Sequence, residues 1–350
     1  MKRWSNILLS ALLGISTLFA LSSCDVHEFP ELPEKATLHL VLDYSTDMPQ
    51  WEYPITDTRT VVPTKSVQTS GEMRYIIRLY PISDARTRVS EPSHEFVFTR
   101  NLAEGYDAEF WLDVPAGDYN IMVWSDISEK EGFDPKFYDT SDFSQIMLVG
   151  THEGNNDYRD AFRGTQSISI TTDIVEKEPM TTVVNMERPL AKYEFVTTDV
   201  NEFIDKEVKA AVSRGEIAET EESPTKAIIL EDYTVKYIYA GFMPNTYNMF
   251  TDKPSDSAMG VMFDGRFMML GNGEASLGFD YVFVNGKEST VTLQIAIYSP
   301  EGVLISVTPA INVPLRRSQH TLMKGSFLMH DADEGVAIDP SFDGEFNIMI

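Results

Sequence analysis

Apolar residues recur at every second position through most of the chain from residue 36 onward, which is the period of a β-strand with one buried face. Leu38, Leu40 and Leu42, for example, alternate with more polar neighbours. Turn residues separate these short segments, as they do between the strands of a β-sandwich. The segments with this pattern in the first half of the chain span residues 37–44, 73–80, 95–99, 108–114, 119–124, 145–149, 165–171 and 180–186.

A second set of strand-like segments follows, and one helix-like segment lies between its first two members. Asp199 stands at the N-cap position with Glu202 three residues later, which predicts a capping box, and Gly215 follows the helical pattern. We therefore predict an all-β fold of two sandwich domains, residues 36–188 and 189–350, with one helix early in the second. The second set of segments spans residues 191–197, 233–242, 260–270, 275–284, 290–298, 303–307, 319–328 and 345–350.

The N-terminus has the layout of a bacterial lipoprotein signal. Two basic residues precede an apolar run over residues 7–21, which is shorter than the about 20 residues that a transmembrane helix needs. The run ends in Leu21-Ser22-Ser23-Cys24, which resembles the lipobox, and a thioether to diacylglycerol requires the thiol of Cys24. We predict a signal peptide over residues 1–23 and lipidation of Cys24. The alternative is an ordinary secreted protein with a cysteine near its cleavage site.

The segment behind this cysteine and the overall charge indicate the compartment. Residues 24–35 are acidic and contain two prolines, so they predict an extended tether between lipid and fold. Acidic residues at this place resemble the surface-export signal of Bacteroidetes lipoproteins, which predicts an outer-membrane protein that is lipid-anchored and faces the cell exterior. The formal net charge of −26 argues against nucleic acid as a partner. Cys24 is the only cysteine, so no intramolecular disulfide can form.

The sequence contains no recognisable catalytic or metal-binding motif. Its six histidines do not stand at metal-ligand spacing, and HExxH, GxSxG and P-loop patterns are absent. We predict no cofactor, no metal and no catalysis. The loop over residues 151–164 gathers side-chain oxygens of Glu153, Asn155, Asn156, Asp157 and Asp160, and it is either a calcium site or a hydrogen-bonded surface loop.

A few aromatic residues and one serine are candidates for surface function. Trp111, Tyr119 and Trp124 lie on strand-like segments, where they form either a carbohydrate-stacking platform or part of the core. Trp51 lies in a polar segment with prolines nearby and is a candidate exposed contact. Asp256-Ser257-Ala258 resembles the Bacteroidetes O-glycosylation motif, with Ser257 as the acceptor in a polar loop.

The lipobox and several longer segments together resemble the fimbrillin-like lipoproteins of Bacteroidales, which are related to the type V pilins. The resemblance covers nearly the whole chain after the signal, and it is nearest to an uncharacterised subgroup of that superfamily. The segments shared with the superfamily are residues 114–124, 187–195 and 313–328, and those shared with the subgroup are residues 138–143, 156–164 and 342–348.

This resemblance implies a pair of transthyretin-like or Ig-like sandwiches in tandem. In the family's pilins a trypsin-like protease cuts after an arginine that follows the first strand, and a strand from a neighbouring subunit fills the open groove. Here the resemblance places that cut after Arg59 and makes residues 345–350 a candidate donor strand. It implies a non-catalytic fimbrial or adhesive component, with the membrane, pilin-like subunits or host and bacterial surface ligands as partners. The alternatives are a fixed surface protein that keeps its first strand and a glycan-binding lipoprotein of a polysaccharide uptake system.

Overall fold

The protein is described by a computed structural model that covers residues 35–53, 71–82, 91–128, 137–171, 179–217, 225 and 228–330. These residues form an all-β structure with one α-helix, α1 (Val200–Arg214). The strands are β1 (Lys35–Tyr44), β2 (Gln50–Tyr53), β3 (Glu72–Pro81), β4 (His94–Asn101), β5 (Ala108–Pro115), β6 (Gly117–Ser128), β7 (Tyr138–Asp139), β8 (Ile146–Leu148), β9 (Ala161–Ile170), β10 (Met180–Met186), β11 (Leu190–Thr197), β12 (Thr234–Tyr239), β13 (Met243–Asn248), β14 (Lys253–Ala258), β15 (Met262–Gly265), β16 (Met268–Gly271), β17 (Glu274–Phe283), β18 (Glu288–Tyr298), β19 (Leu304–Val307), β20 (Ile311–Arg316) and β21 (His320–Gly325).

The first half of the chain forms two sheets that face each other across an apolar core. One sheet has the strand order β10-β1-β5, and the other has the order β4-β3-β6-β9. Leu40 and Phe110 from the first sheet share this core with Tyr75 and Ile121 from the second. The alternation of buried and exposed residues along β1 and β5 follows from this arrangement, because each strand turns one face to the core.

The second half repeats this layout with two larger sheets. One has the order β16-β17-β11-β21-β2, and the other has the order β15-β12-β18-β19, with β20 also paired to β18. Their shared core contains Phe195, Tyr237 and Ile295, and α1 adds Val200 and Phe203 to it. The helix therefore covers part of this core rather than standing free of it.

The C-terminus of the helix is closed as the sequence predicts, but its N-terminus lacks the predicted side-chain cap. Gly215 takes a left-handed conformation with φ of 77° and closes the C-terminus of the helix. Asp199 stands at the N-cap, yet its side chain does not cap the helix, so the predicted capping box is wrong. One of its carboxylate oxygens instead accepts hydrogen bonds from the backbone N–H groups of Leu328 and Met329, each at 3.1 Å.

A fifth sheet joins the two halves of the chain. Its order is β14-β13-β8-β7, so it combines two strands from before residue 150 with two from after residue 240. We call the place where the two halves meet the junction, and this sheet the junction sheet. A further apolar core, the junction core, lies there and contains Trp124, Tyr138, Tyr247 and Phe283. The prediction of an all-β fold is confirmed, and the division into domains at residues 188 and 189 stays a prediction.

Candidate functional site

The structure describes one of the three residues that the sequence singles out for modification or cleavage. Cys24 and Arg59, together with the candidate donor at residues 345–350, lie outside the described residues. Ser257 lies in β14, an edge strand of the junction sheet, so the predicted loop around it is wrong. Its side chain is partly exposed, and its backbone N–H donates to Asp256 Oδ1 at 2.7 Å. Glycosylation of Ser257 stays a prediction.

Strand β1 is the central strand of its sheet. It pairs in parallel with β10, where Leu40 lies opposite Thr182, and antiparallel with β5, where Leu40 lies opposite Phe110. Leu38, Leu40 and Leu42 are fully buried. Removal of β1 would therefore open a slot with an apolar floor and leave the facing edges of β5 and β10 unpaired.

The segment after β1, residues 45–53, crosses from the first half of the molecule to the second, and we call it the strap. Three consecutive carbonyl groups at its start, those of Ser45, Thr46 and Asp47, accept hydrogen bonds from Arg188 Nη1 at 3.3, 2.9 and 3.1 Å. Met48 is buried in the junction core. The strap ends in β2, which pairs in parallel with β21 of the second half.

Trp51, which the sequence makes a candidate exposed contact, is part of the strap. It lies in β2 opposite Thr321 and is partly buried. The guanidinium of Arg316 lies 3.8 Å from the centroid of its ring, in a cation–π contact. The expectation of an exposed contact at Trp51 is therefore wrong, because the strap lies against the second half of the molecule.

The loop over residues 151–164, which we call the clamp loop, binds the second half of the molecule through its charged side chains. Asp157 Oδ1 lies 2.9 Å from Lys192 Nζ and accepts from the Tyr281 hydroxyl at the same distance. Asp160 binds Arg188, whose Nε lies 2.9 Å from both carboxylate oxygens. These oxygens are taken by protein donors, so the clamp loop is hydrogen-bonded, but Asp160 is buried rather than on the surface.

Asp280 in β17 is the centre of a buried polar cluster at the junction. Its carboxylate pairs with Arg159, and its Oδ2 lies 2.7 Å from His152 Nε2 and accepts from the Tyr239 hydroxyl at 2.7 Å. His152 Nε2 is also 3.1 Å from Arg159 Nη1. A ring nitrogen that donates to the carboxylate cannot accept from the guanidinium at the same time, so we assign its hydrogen bond to Asp280.

Burial and pairing act in opposite directions on the titration of Asp280. Burial raises the pKa of its carboxyl, but the charge of Arg159 and the hydrogen bonds from His152 and Tyr239 together outweigh burial, so the pKa lies below its usual value. The carboxylate correspondingly raises the pKa of the Arg159 guanidinium against the effect of burial. Both groups are therefore charged at neutral pH and form a pair without net charge.

The aromatic residues of the first half do not form one platform. Trp111 is 60% exposed and stacks on His39, with ring centroids 4.5 Å apart. Trp124 is fully buried and Tyr119 nearly so. The three-residue platform is therefore wrong, and the core alternative holds for Trp124 and Tyr119.

Within the described part of the chain, no group of three or more His, Cys, Asp or Glu side chains is arranged to hold a metal ion. No helix among the described residues has the length and apolar composition that a membrane crossing requires.

The sequence did not single out the buried residues that join the two halves. His152 and Asp280 belong to no motif, Arg159 lies in the segment 156–164 without a role assigned to it, and Arg159 and Asp280 are 121 positions apart. One signal was available, because Asp280 interrupts an otherwise apolar strand, Leu277 to Val284. A charged residue in such a strand requires a buried partner.

The strands and their junction define an all-β protein whose strand β1 is paired on both sides and buries one face. The chain belongs to the family of unknown function DUF6562, whose sequence profile matches residues 33–350. Among proteins with curated descriptions, none matches this chain.

Three solved structures of Bacteroidales proteins are similar to the chain. A Bacteroides thetaiotaomicron protein, provisionally described as polysaccharide-binding (DUF1812), has 10% identity and a TM-score of 0.43, with 78% of this chain and 79% of that chain covered. A Bacteroides ovatus protein, provisionally described as an adhesin, has 11% identity and a TM-score of 0.42, with 91% and 98% covered. The fimbrial anchor protein Mfa2 from Porphyromonas gingivalis has 10% identity and a TM-score of 0.39, with 78% and 82% covered.

Proposed function

We propose that the protein is a non-catalytic, lipid-anchored cell-surface protein of fimbrillin-like type that serves as a fimbrial or adhesive structural component. The sequence supports the anchor through the lipobox that ends at Cys24. Two acyl chains hold a protein stably at a membrane, since each buried methylene contributes about 0.8 kcal/mol. The mature chain would then be tethered to the outer membrane by residues 24–35.

The position of β1 is the observation that carries the structural role. A strand that pairs on both sides and buries three leucines fills a slot that a strand from another subunit could fill equally well. Each leucine buried in that slot contributes roughly 1.5–3 kcal/mol. Exchange of β1 after cleavage at Arg59 would therefore join subunits and restore backbone pairing along the length of the incoming strand.

The strap adds a constraint to this exchange. Cleavage after Arg59 would release not only β1 but also β2 and the three carbonyl acceptors of Arg188. An incoming segment must replace these contacts, or the Arg188 guanidinium loses its three carbonyl acceptors in the strap. We therefore expect assembly to require cleavage and donor together, and cleavage alone to loosen the junction.

The test is limited trypsin digestion of the mature protein, followed by mass spectrometry and size exclusion. We expect a cut after Arg59, release of residues 24–59, and oligomers that do not form when residues 345–350 are deleted. The matched control is Arg59→Gln, which removes the cut and keeps the rest of the chain. If Arg59 resists trypsin in the folded protein, or the cut product stays monomeric, exchange is wrong and a fixed surface lipoprotein remains.

The lipid anchor is tested separately. Cells that express the wild type should incorporate a palmitate analogue into the protein, and cells that express Cys24→Ala should not. The variant should also keep its signal peptide, because the lipoprotein peptidase requires the modified cysteine. Labelling of the Cys24→Ala protein would show that the lipid is attached elsewhere.

A further inference from the structure

The sheet of strands β10, β1 and β5 turns one face to the core and the other face outward. On β5 the outward side chains are those of Glu109, Trp111 and Asp113, and all three residues are exposed. We call these three residues the Trp111 row. Two positions along a strand span about 6.8 Å, so Glu109 and Asp113 flank Trp111 at close range. The row therefore places an indole between two carboxylates on one surface.

Trp111 is held in place by its neighbour on β1. His39 lies opposite it in the register, and the two rings stack with an interplanar angle of 15°. The imidazole is held in turn, because its Nε2 lies 3.1 Å from Glu109 Oε2 and its Nδ1 lies 3.2 Å from Thr181 Oγ1. His39 covers one face of the indole, while Trp111 remains 60% exposed. The indole is therefore a pre-ordered contact surface, which lowers the entropy cost of binding.

The outward face around the row carries more negative than positive charge. Its carboxylates are those of Asp43, Glu109 and Asp113, and its ammonium group is that of Lys35. Lys35 lies opposite Pro115, at the far end of the strand pair. With histidine counted as neutral, three negative charges therefore face one positive charge, and that positive charge is remote from the indole.

A groove of about 680 Å³ opens beside the row and extends the same charge pattern. Its lining carries the carboxylates of Asp43, Asp107 and Glu109 and the guanidinium of Arg100. Arg100 is paired with Glu104 at 3.1 Å, so its charge is already balanced. The groove and the row together form an acidic surface around an exposed indole, which attracts cations and repels anions.

An arginine side chain satisfies both features of this surface. A cation is attracted to the face of an indole, and tryptophan is the best of the aromatic residues for this contact. The planar guanidinium also stacks on aromatic rings and donates to carboxylates, whereas an ammonium group offers only a point charge. An extended segment repeats its side chains every second residue, which is the spacing of Glu109, Trp111 and Asp113.

We propose that the Trp111 row docks an extended, arginine-bearing segment of a partner protein, with one guanidinium on the open face of the indole and others at the flanking carboxylates. A second copy of this chain is a poor partner, because each copy carries a formal net charge of −26. The proposal deepens the adhesive role and rests on it only for the location at the cell surface. It does not need strand exchange, since the face is complete while β1 is in place.

Indole N–H resonances of the uncut mature protein give a local readout, because without residues 1–23 the chain contains only Trp51, Trp111 and Trp124. The probes are peptides of four Gly-Arg, four Gly-Gln or four Gly-Glu repeats, and a hexamer of β-linked glucose as a neutral ligand that can also stack on an indole. The Gly-Arg peptide should shift the Trp111 resonance to saturation and bind about tenfold or more tightly than the other probes. Tighter binding of the glucose hexamer or the Gly-Glu peptide, or an unshifted Trp111 resonance with the Gly-Arg peptide, would overturn the proposal.

Titration calorimetry on variants separates a contact at the indole from general attraction to an acidic protein. Trp111→Ala should weaken binding of the Gly-Arg peptide by roughly two- to fivefold, the effect of one exposed cation–π contact. Phe242→Ala is the matched control, because Phe242 is 62% exposed and lies in the second half of the chain, and its affinity should equal that of the wild type. Equal affinities of the two variants would contradict the contact at Trp111.

The flanking carboxylates are tested at constant total charge. The double variant Glu109→Gln with Asp113→Asn should weaken binding of the Gly-Arg peptide by about threefold or more. The control Glu231→Gln with Asp232→Asn removes the same charge from an exposed turn before β12 and should weaken binding much less. Equal losses in the two double variants would mean that the peptide responds only to net charge, and the proposed docking site would be wrong.

Discussion

Arg188 and Asp160 form a fully buried ion pair, with Arg188 Nε 2.9 Å from both carboxylate oxygens. Arg188 stands between the last strand of the first half and the first strand of the second, and Asp160 directly precedes β9. The same guanidinium also holds the strap through its carbonyl groups. One arginine thus joins three segments that meet at the junction.

Arg188→Ala should therefore destabilise the protein strongly. The substitution leaves Asp160 buried without its partner, and breaking a buried pair in this way costs about 3–5 kcal/mol. Burial already raises the pKa of the Asp160 carboxyl in spite of Arg188, so the carboxylate would protonate more readily in the variant. Urea denaturation at neutral pH measures the loss. Arg214→Ala is the control, since Arg214 pairs with Glu216 on the surface, and a comparable loss there would contradict the role given to Arg188.

The two tryptophans of the first half should respond very differently to removal. Trp124→Ala deletes a fully buried ring and its hydrogen bond to Asp126, and we expect a loss of about 3–5 kcal/mol in the free energy of unfolding. Trp111→Ala removes a mostly exposed ring whose stacking on His39 contributes about 1 kcal/mol or less. Thermal unfolding of both variants compares the two losses of stability. A larger loss for Trp111→Ala than for Trp124→Ala would contradict the exposed position of Trp111.

These two residues also show how far the sequence predicts the fold. Ala108, Phe110, Leu112 and Val114 face inward along β5, so period two alone places Trp111 on the outside. Residues 121–127 of β6 are buried on both faces, because the junction sheet covers the side that would otherwise meet solvent. Local alternation predicts a strand and its inner face, but it contains no information about a second layer from a distant part of the chain.

The same limit explains what the sequence predicted about the site and what it did not. The end of α1 was predictable because Gly215 acts within its own turn. The sequence predicts a cap at Asp199, but Asp199 Oδ2 accepts from the backbone N–H groups of Leu328 and Met329, which lie far along the chain. The pairing of Arg159 with Asp280 could not be predicted for the same reason, because a charged residue in the sequence does not indicate which distant residue of opposite charge it pairs with.

Gly265 should tolerate no side chain. A Cβ built there would lie 2.3 Å from the Leu277 carbonyl oxygen and 2.8 Å from the Tyr237 ring, because β15 and β17 approach closely. We expect Gly265→Ala to cost about 1–3 kcal/mol as an overpacked position. Gly241→Ala is the matched control, since a Cβ there meets nothing within 4 Å. Equal stability of the two variants in chemical denaturation would show that the backbone yields at Gly265 without cost.

His320 should make the protein less stable as the pH falls. Its ring is buried, and its Nε2 lies 3.2 Å from Glu194 Oε2. Burial lowers the pKa of His320, and the attraction of Glu194 does not fully offset it. In the unfolded chain the histidine has its ordinary pKa of about 6.5 and binds a proton below that value, whereas the folded state does not until the pH is lower. The contribution of His320 is therefore fully present above that pH and is lost as the pH falls toward its folded pKa.

The measurement is the melting temperature between about pH 7.5 and pH 5.5, the range that brackets the titration of an ordinary histidine. The wild type should lose stability toward the acid end, and His320→Asn should lower the stability at neutral pH while flattening the dependence, because no proton can be taken up at that position. His94→Asn serves as the control on a partly exposed histidine of β4. A pH dependence in His320→Asn as steep as in the wild type would assign the acid sensitivity to another group.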